Sequence, residues 1–131
     1  MARSRWLWAA WLLVFLAGVL HAESTDGELR VFLILSQRAG PDMLNKIVGD
    51  IGATAPTVEA WGRKTTLVKK LPPESYTVVV KNVEACAFKK CVPCPDQTRD
   101  AAVRTGQSAE VVFRWNATYD RVEEKWTCAE K

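Results

Sequence analysis

Cys86, Cys91 and Cys94 fall within CAFKKCVPCP, residues 86–95, and Cys128 is the fourth cysteine of the chain. Thiols at these spacings have three chemistries open to them. Four thiolates can hold zinc, but C-x4-C-x2-C-x33-C is not the two separated CxxC pairs of a common structural site. Cys91-Val92-Pro93-Cys94 has the spacing of a thiol–disulfide redox pair, whose reactivity comes from a helix N-terminus or a nearby cation that lowers a thiol pKa. Pro93, Pro95, Asp96 and Gln97 read as turn instead, and no helical period follows them. The third chemistry is stapling. An even number of cysteines in an oxidising compartment predicts two disulfides. Three connectivities are open. The spacing favours Cys91 with Cys94 and Cys86 with Cys128, and the long loop closed by the second bond would contribute about 4 kcal/mol against about 2 for the first.

The choice depends on compartment, and the N-terminus speaks to it. Arg3 and Arg5 precede an apolar run from Trp6 to Leu20, with Ala22 beyond. A basic flank, an apolar centre and a small residue at the exit make a secretory signal. The run would span about 22 Å as a helix, short of a hydrocarbon core of roughly 30 Å. The expectation is a signal peptide over residues 1–22, cut after Ala22, and a single disulfide-bonded domain over residues 23–131. Removing Arg3 and Arg5 from 18 basic residues leaves 16 against 15 acidic ones, a net charge of +1. His21, the only histidine, leaves with the signal.

Loss of that imidazole excludes His-activated serine or cysteine nucleophiles, HExxH metal sites and a histidine general base. No glycine-rich phosphate loop is present. Glu59, Glu74, Glu110, Glu123 and Glu124 are scattered and read as surface carboxylates. Near-neutral charge gives no electrostatic reason to expect a nucleic acid; Lys69-Lys70 and Lys89-Lys90 read as solvated pairs. Asn116-Ala117-Thr118 is an N-glycosylation sequon in an expected surface turn, meaningful in a eukaryotic source. Trp61, Trp115 and Trp126 remain after cleavage; gathered on one exposed face they would hold a protein or carbohydrate, and buried they would fill the core.

Stepping residue types in twos locates the framework. ELRVFLILS, residues 28–36, places Leu29, Val31, Leu33 and Leu35 on one face with Phe32 and Ile34 on the other, which suits a central strand. Residues 41–52 carry Leu44, Ile47 and Ile51 at helical spacing, limited by Gly49 and Gly52, and predict a short helical loop. Strands follow over residues 57–61 and 65–70, then over SYTVVVK, where Tyr76, Val78 and Val80 share a face. Residues 84–98 read as a cysteine loop and DAAVRT as a short strand. SAEVVFRW, residues 108–115, turns Val111, Phe113 and Trp115 one way, and RVEEKWTC closes the chain. Six or seven strands with wet apolar faces predict an all-β, two-sheet antiparallel β-sandwich.

LPPESYTVVV, followed about thirty residues later by GQSAEVVFRW, resembles the carboxypeptidase-regulatory-like, prealbumin-like β-sandwiches related to collagen-adhesin B-type repeats. Leu71, Pro72, Pro73, Tyr76, Val78, Val80, Gly106, Val111 and Phe113 match, and Glu74 stands where that family prefers glycine. The resemblance covers about residues 28–115. It implies a binding or spacer module. Some adhesin repeats carry a lysine–asparagine isopeptide bond, but the first strand here has no lysine. The functional expectation is an exported, non-catalytic module without cofactor or metal that recognises a protein or glycan and meets a membrane only through its signal. Two alternatives stand beside it: a secreted thiol–disulfide protein using Cys91 and Cys94, and a small enzyme inhibitor presenting residues 86–96.

Overall fold

The computed structural model describes residues 25–54 and 58–131. The expected signal and its cleavage after Ala22 lie outside the described residues. Alternating apolar residues form β1 (Gly27–Gln37), with Leu29, Val31 and Leu33 buried and Phe32 and Ile34 half-buried on the reverse face. The chain continues through β2 (Lys46–Thr54), β3 (Val58–Lys64), β4 (Thr66–Leu71), β5 (Ser75–Ala87), β6 (Lys90–Cys94), β7 (Gln97–Ala102), β8 (Ser108–Asp120) and β9 (Lys125–Glu130). One sheet has the order β4-β1-β8-β9; the other has β3-β2-β5-β6, with β7 also paired to β5. The expected two-sheet sandwich is the observed fold, and β1 is a central strand as its two apolar faces implied.

Three details differ from expectation. There are nine strands among the described residues rather than six or seven. The sheets are not wholly antiparallel, because β1 and β8 run parallel from Glu28 opposite Ser108 to Gln37 opposite Ala117. A parallel neighbour needs a long crossover, and here the entire second sheet lies between them in sequence. No helix occurs among the described residues; the segment expected to be helical holds β2. Ile47 and Ile51 are four apart, a separation that serves one face of a strand as well as one face of a helix. Gly49 does not stop a helix but lets two strands approach: a Cβ there would lie 2.7 Å from Cγ1 of Val80 on β5.

The core joins both sheets. Val111, Phe113 and Trp115 of β8 meet Tyr76, Val78 and Val80 of β5, all buried, in the phase their alternation implied. Polar side chains stitch the layers as well. The Trp115 indole N–H donates to the Pro95 carbonyl at 2.8 Å and the Gln97 amide donates to the Arg114 carbonyl at 2.6 Å. Each satisfies a backbone carbonyl at the turn or strand it meets.

At the corner before β5, Pro72 and Pro73 are exposed, as residues without amide donors should be at a sheet margin. The Tyr76 hydroxyl turns back and donates to the Pro72 carbonyl at 2.8 Å. Glu74 needs no left-handed backbone here, since Asp42, Asn82 and Glu124 are the non-glycine residues with positive φ among those described. Burial, followed by the charge of Glu74, raises the Tyr76 pKa above its ordinary 10.0.

The sign of the resulting pH dependence follows from that shift. Below the ordinary tyrosine range both folded and unfolded hydroxyls keep their protons, and nothing is lost. Above it the unfolded chain ionises first, so stability falls as pH rises towards and through the raised value. Tyr76→Phe should cost about 1 kcal/mol at neutral pH through the lost hydrogen bond and should flatten the alkaline decline. Urea midpoints measured across an alkaline series check this; an unchanged decline would assign it to other groups.

Candidate functional site

The four cysteines pair as Cys86–Cys91 and Cys94–Cys128. This replaces the connectivity that the spacing favours, and the reason is strand geometry. Cys91 and Cys94 both lie in β6, where residues three apart point to opposite faces: Cys91 is exposed and Cys94 buried. They cannot reach one another. Cys86 and Cys91 face each other across the β5–β6 ladder with Cα atoms 4.0 Å apart, the close approach that a non-hydrogen-bonded antiparallel pair provides. Cys94–Cys128 crosses from β6 to β9 and so from one sheet to the other. Residues 84–98 are therefore mostly not loop; they form the end of β5, a tight hairpin and β6.

The hairpin turn is Phe88-Lys89, closed by Ala87 opposite Lys90. Two-residue hairpin loops favour Asn-Gly, Asp-Gly or a leading glycine, and this one has none of them. Its Phe88 is 90% exposed. Phe88 is not a turn-forming residue type and does not enter the core; it stands in water, with Lys89 and Lys90 exposed beside it. The Cys86–Cys91 bond holds the neck of this hairpin.

Against it lies the β1–β2 loop. Met43, 46% exposed, lines a cleft of about 320 Å³ with Asp42, Asn45, Phe88, Lys89 and Lys90. The loop is fixed by Gln37, whose amide donates to the Leu44 carbonyl while its oxygen accepts from the Leu44 N–H at 3.0 Å. The Asn45 N–H donates to the Cys86 carbonyl at 2.8 Å, which ties the loop to the stapled neck.

The other expected site residues lie elsewhere. Trp115 and Trp126 are buried, and Trp61 is half-buried with its indole N–H on Glu59 at 2.9 Å, so these three form no exposed cluster. The Trp126 indole N–H donates to the Pro41 carbonyl at 3.1 Å. Asn116 sits in β8 rather than in a turn, and both it and Thr118 are exposed. Glu84, Cys86 and Cys91 bring three possible metal-ligand atoms within 4.8 Å of one another. Both sulfurs are already bonded together, and Glu84 Oε1 accepts from Arg63 Nη2 at 2.5 Å, so this cluster is spoken for. The cysteine spacing points to residues 86–96 without singling out Phe88. Its one available signal was an aromatic residue where a turn former belongs.

Fold and site together define a disulfide-bonded β-sandwich that presents a stapled hairpin. Comparison of the chain with protein-family models, curated proteins and solved structures finds no match.

The two bonds should differ in worth. Replacing Cys94 and Cys128 by alanine releases a long loop and should cost about 4 kcal/mol, whereas replacing Cys86 and Cys91 releases a short one and should cost about 2. Denaturant melts of the two double variants, with non-reducing peptide mapping of the parent, check both the order and the pairing.

Proposed function

We propose that the protein is an exported, non-catalytic recognition module whose contact surface is the end of the sandwich bearing the Phe88 hairpin. The observation that carries this reading is a 90%-exposed phenylalanine at a turn cross-linked directly behind it. Aromatic anchors dominate binding energy when they enter a partner's pocket, and a pre-formed loop loses less entropy on docking. Two disulfides are compatible with an oxidising, extracellular-type environment, which supports export. The two-sheet architecture and the Tyr76–Pro72 corner support membership of the prealbumin-like group, whose members mostly bind or space.

The pairing weighs against the redox alternative, because Cys91 and Cys94 are each bonded to a different partner. The inhibitor alternative requires an extended segment that an enzyme cleft can grip, and residues 90–94 are instead already paired in a ladder with β5.

A photo-crosslinking residue placed at position 88 tests the reading in the compartment where the source organism holds the protein. It should yield discrete adducts, while the same probe at Val68, exposed on β4, should yield none. Equal labelling from both positions would remove the case for this end.

A further inference from the structure

The chemistry of what this end touches can be taken further, resting on the reading of it as a contact surface. β1 and β8 run parallel in register, so the loops that follow them leave the sandwich at the same end. β2 begins there too, with Lys46 opposite Cys86. The β1–β2 loop, the β5–β6 hairpin and the β8–β9 turn therefore share one end. Among the described residues the exposed large hydrophobic side chains are Met43, Val68, Phe88 and Val122, and three of these four belong to those three loops.

Each loop is fixed by its own device. The Phe88 turn has the Cys86–Cys91 bond and the Met43 loop has the two-point clasp of Gln37 on Leu44. In the third, Asp120 Oδ1 accepts from the Val122 and Glu123 amides at 2.9 and 3.2 Å, and Glu124 takes a positive φ of 55°. The Val122 side chain is 93% exposed as a result. Single exposed apolar residues are ordinary; three at one end, each on a loop tied by a cross-link or by side-chain hydrogen bonds, are not.

Each of these tips has a charged chain neighbour: Asp42 before Met43, Lys89 after Phe88, Arg121 and Glu123 around Val122. A protein interface of standard kind wants a contiguous dry centre, whereas here Met43 and Phe88 share a cleft whose lining includes Asp42, Lys89 and Lys90, and Val122 stands outside it on another turn. A lipid headgroup layer accepts separate apolar prongs, with cations at the depth of the phosphates. Arg38, Lys46, Lys89, Lys90, Arg121 and Lys125 lie in or beside these loops, against Asp42, Asp120, Glu123 and Glu124. Glu123 and Lys125 offset one another at 2.8 Å and Asp120 caps its turn, so this end keeps an excess of two cations. The hairpin side is the more cationic part of this end.

We infer that this end docks on an anionic phospholipid surface. Phe88, Met43 and Val122 enter the boundary between headgroups and acyl chains, and Lys89 and Lys90 meet the phosphates. This goes beyond the sequence expectation that a membrane is met only through the signal.

The test uses the oxidised protein with vesicles of phosphatidylcholine alone and of phosphatidylcholine containing one quarter phosphatidylglycerol. Co-sedimentation is expected with the anionic vesicles and should weaken as salt rises. Phe88→Ser should lower partitioning about tenfold. Lys89→Gln and Lys90→Gln should lower it about fivefold each, and on anionic vesicles only. Val68→Ser, remote on β4, should change nothing, and unchanged melting temperatures would show that every variant folds. Failure of the parent protein to bind anionic vesicles, or an equal loss from Val68→Ser, overturns the inference. A protein adduct from position 88 without vesicle binding would overturn it as well, while leaving the recognition module of the preceding section intact.

Discussion

The Cys94–Cys128 bond and the polar contacts around it fix where everything else can sit. β6 is an edge strand of one sheet and β9 an edge strand of the other, and no backbone ladder joins the two edges. The buried Cys94 supplies a covalent link instead. Beside it the Trp115 indole holds the Pro95 carbonyl and Gln97 holds the Arg114 carbonyl. One side of the sandwich is thus closed by a bond, a buried indole and an amide within a few residues of one another. Because β6 is anchored at Cys94, its other end at Lys90 is positioned as well, and the Phe88 turn inherits that position.

What could be read from the sequence was what alternation encodes. β1, β5 and β8 are long strands whose inward faces are nearly all apolar, so Leu29 to Leu33, Tyr76 to Val80 and Val111 to Trp115 were legible in phase as well as in kind. The inward face of β5 also sets where the Tyr76 hydroxyl emerges, at the preceding turn on the Pro72 carbonyl. β2 was not legible. Its inward positions do alternate from Ile47 to Ala53, but Gly49 and Ala53 carry little or no side chain and Val48 on the reverse face is buried too, so the two-residue period is muted. Left with Ile47 and Ile51 four apart, a reader meets a spacing shared by helix and strand, and the glycines that allow close packing against Val80 look like helix stops.

The cysteines failed to declare their partners because the deciding quantity was facing, not distance along the chain. CVPC suggests a local bond only if the segment turns. Once Lys90–Cys94 is a strand, Cys91 and Cys94 point apart, and each must find a partner on its own face. The gathering of exposed apolar tips at one end was hidden for a related reason. Met43, Phe88 and Val122 are remote from one another in sequence, and the parallel β1–β8 pairing is what sends two of their loops out of the same end. No local pattern encodes that juxtaposition, because it is a property of topology.

The two staples then divide their work by location. Cys94–Cys128 lies where the sheets meet, and its long loop lets it act on the unfolded chain as a whole. Cys86–Cys91 closes a loop of few residues at a hairpin end, where it adds about half as much to global stability. Hairpin ends open locally far more readily than cores do, and a turn of Phe-Lys has no intrinsic preference to resist opening. A cross-link one residue pair behind such a turn suppresses that local opening above all else. Its effect is to keep an apolar ring in water at a fixed place, a state that folding alone has no reason to maintain. The short disulfide therefore fixes the place of the Phe88 ring more than it holds the two sheets together.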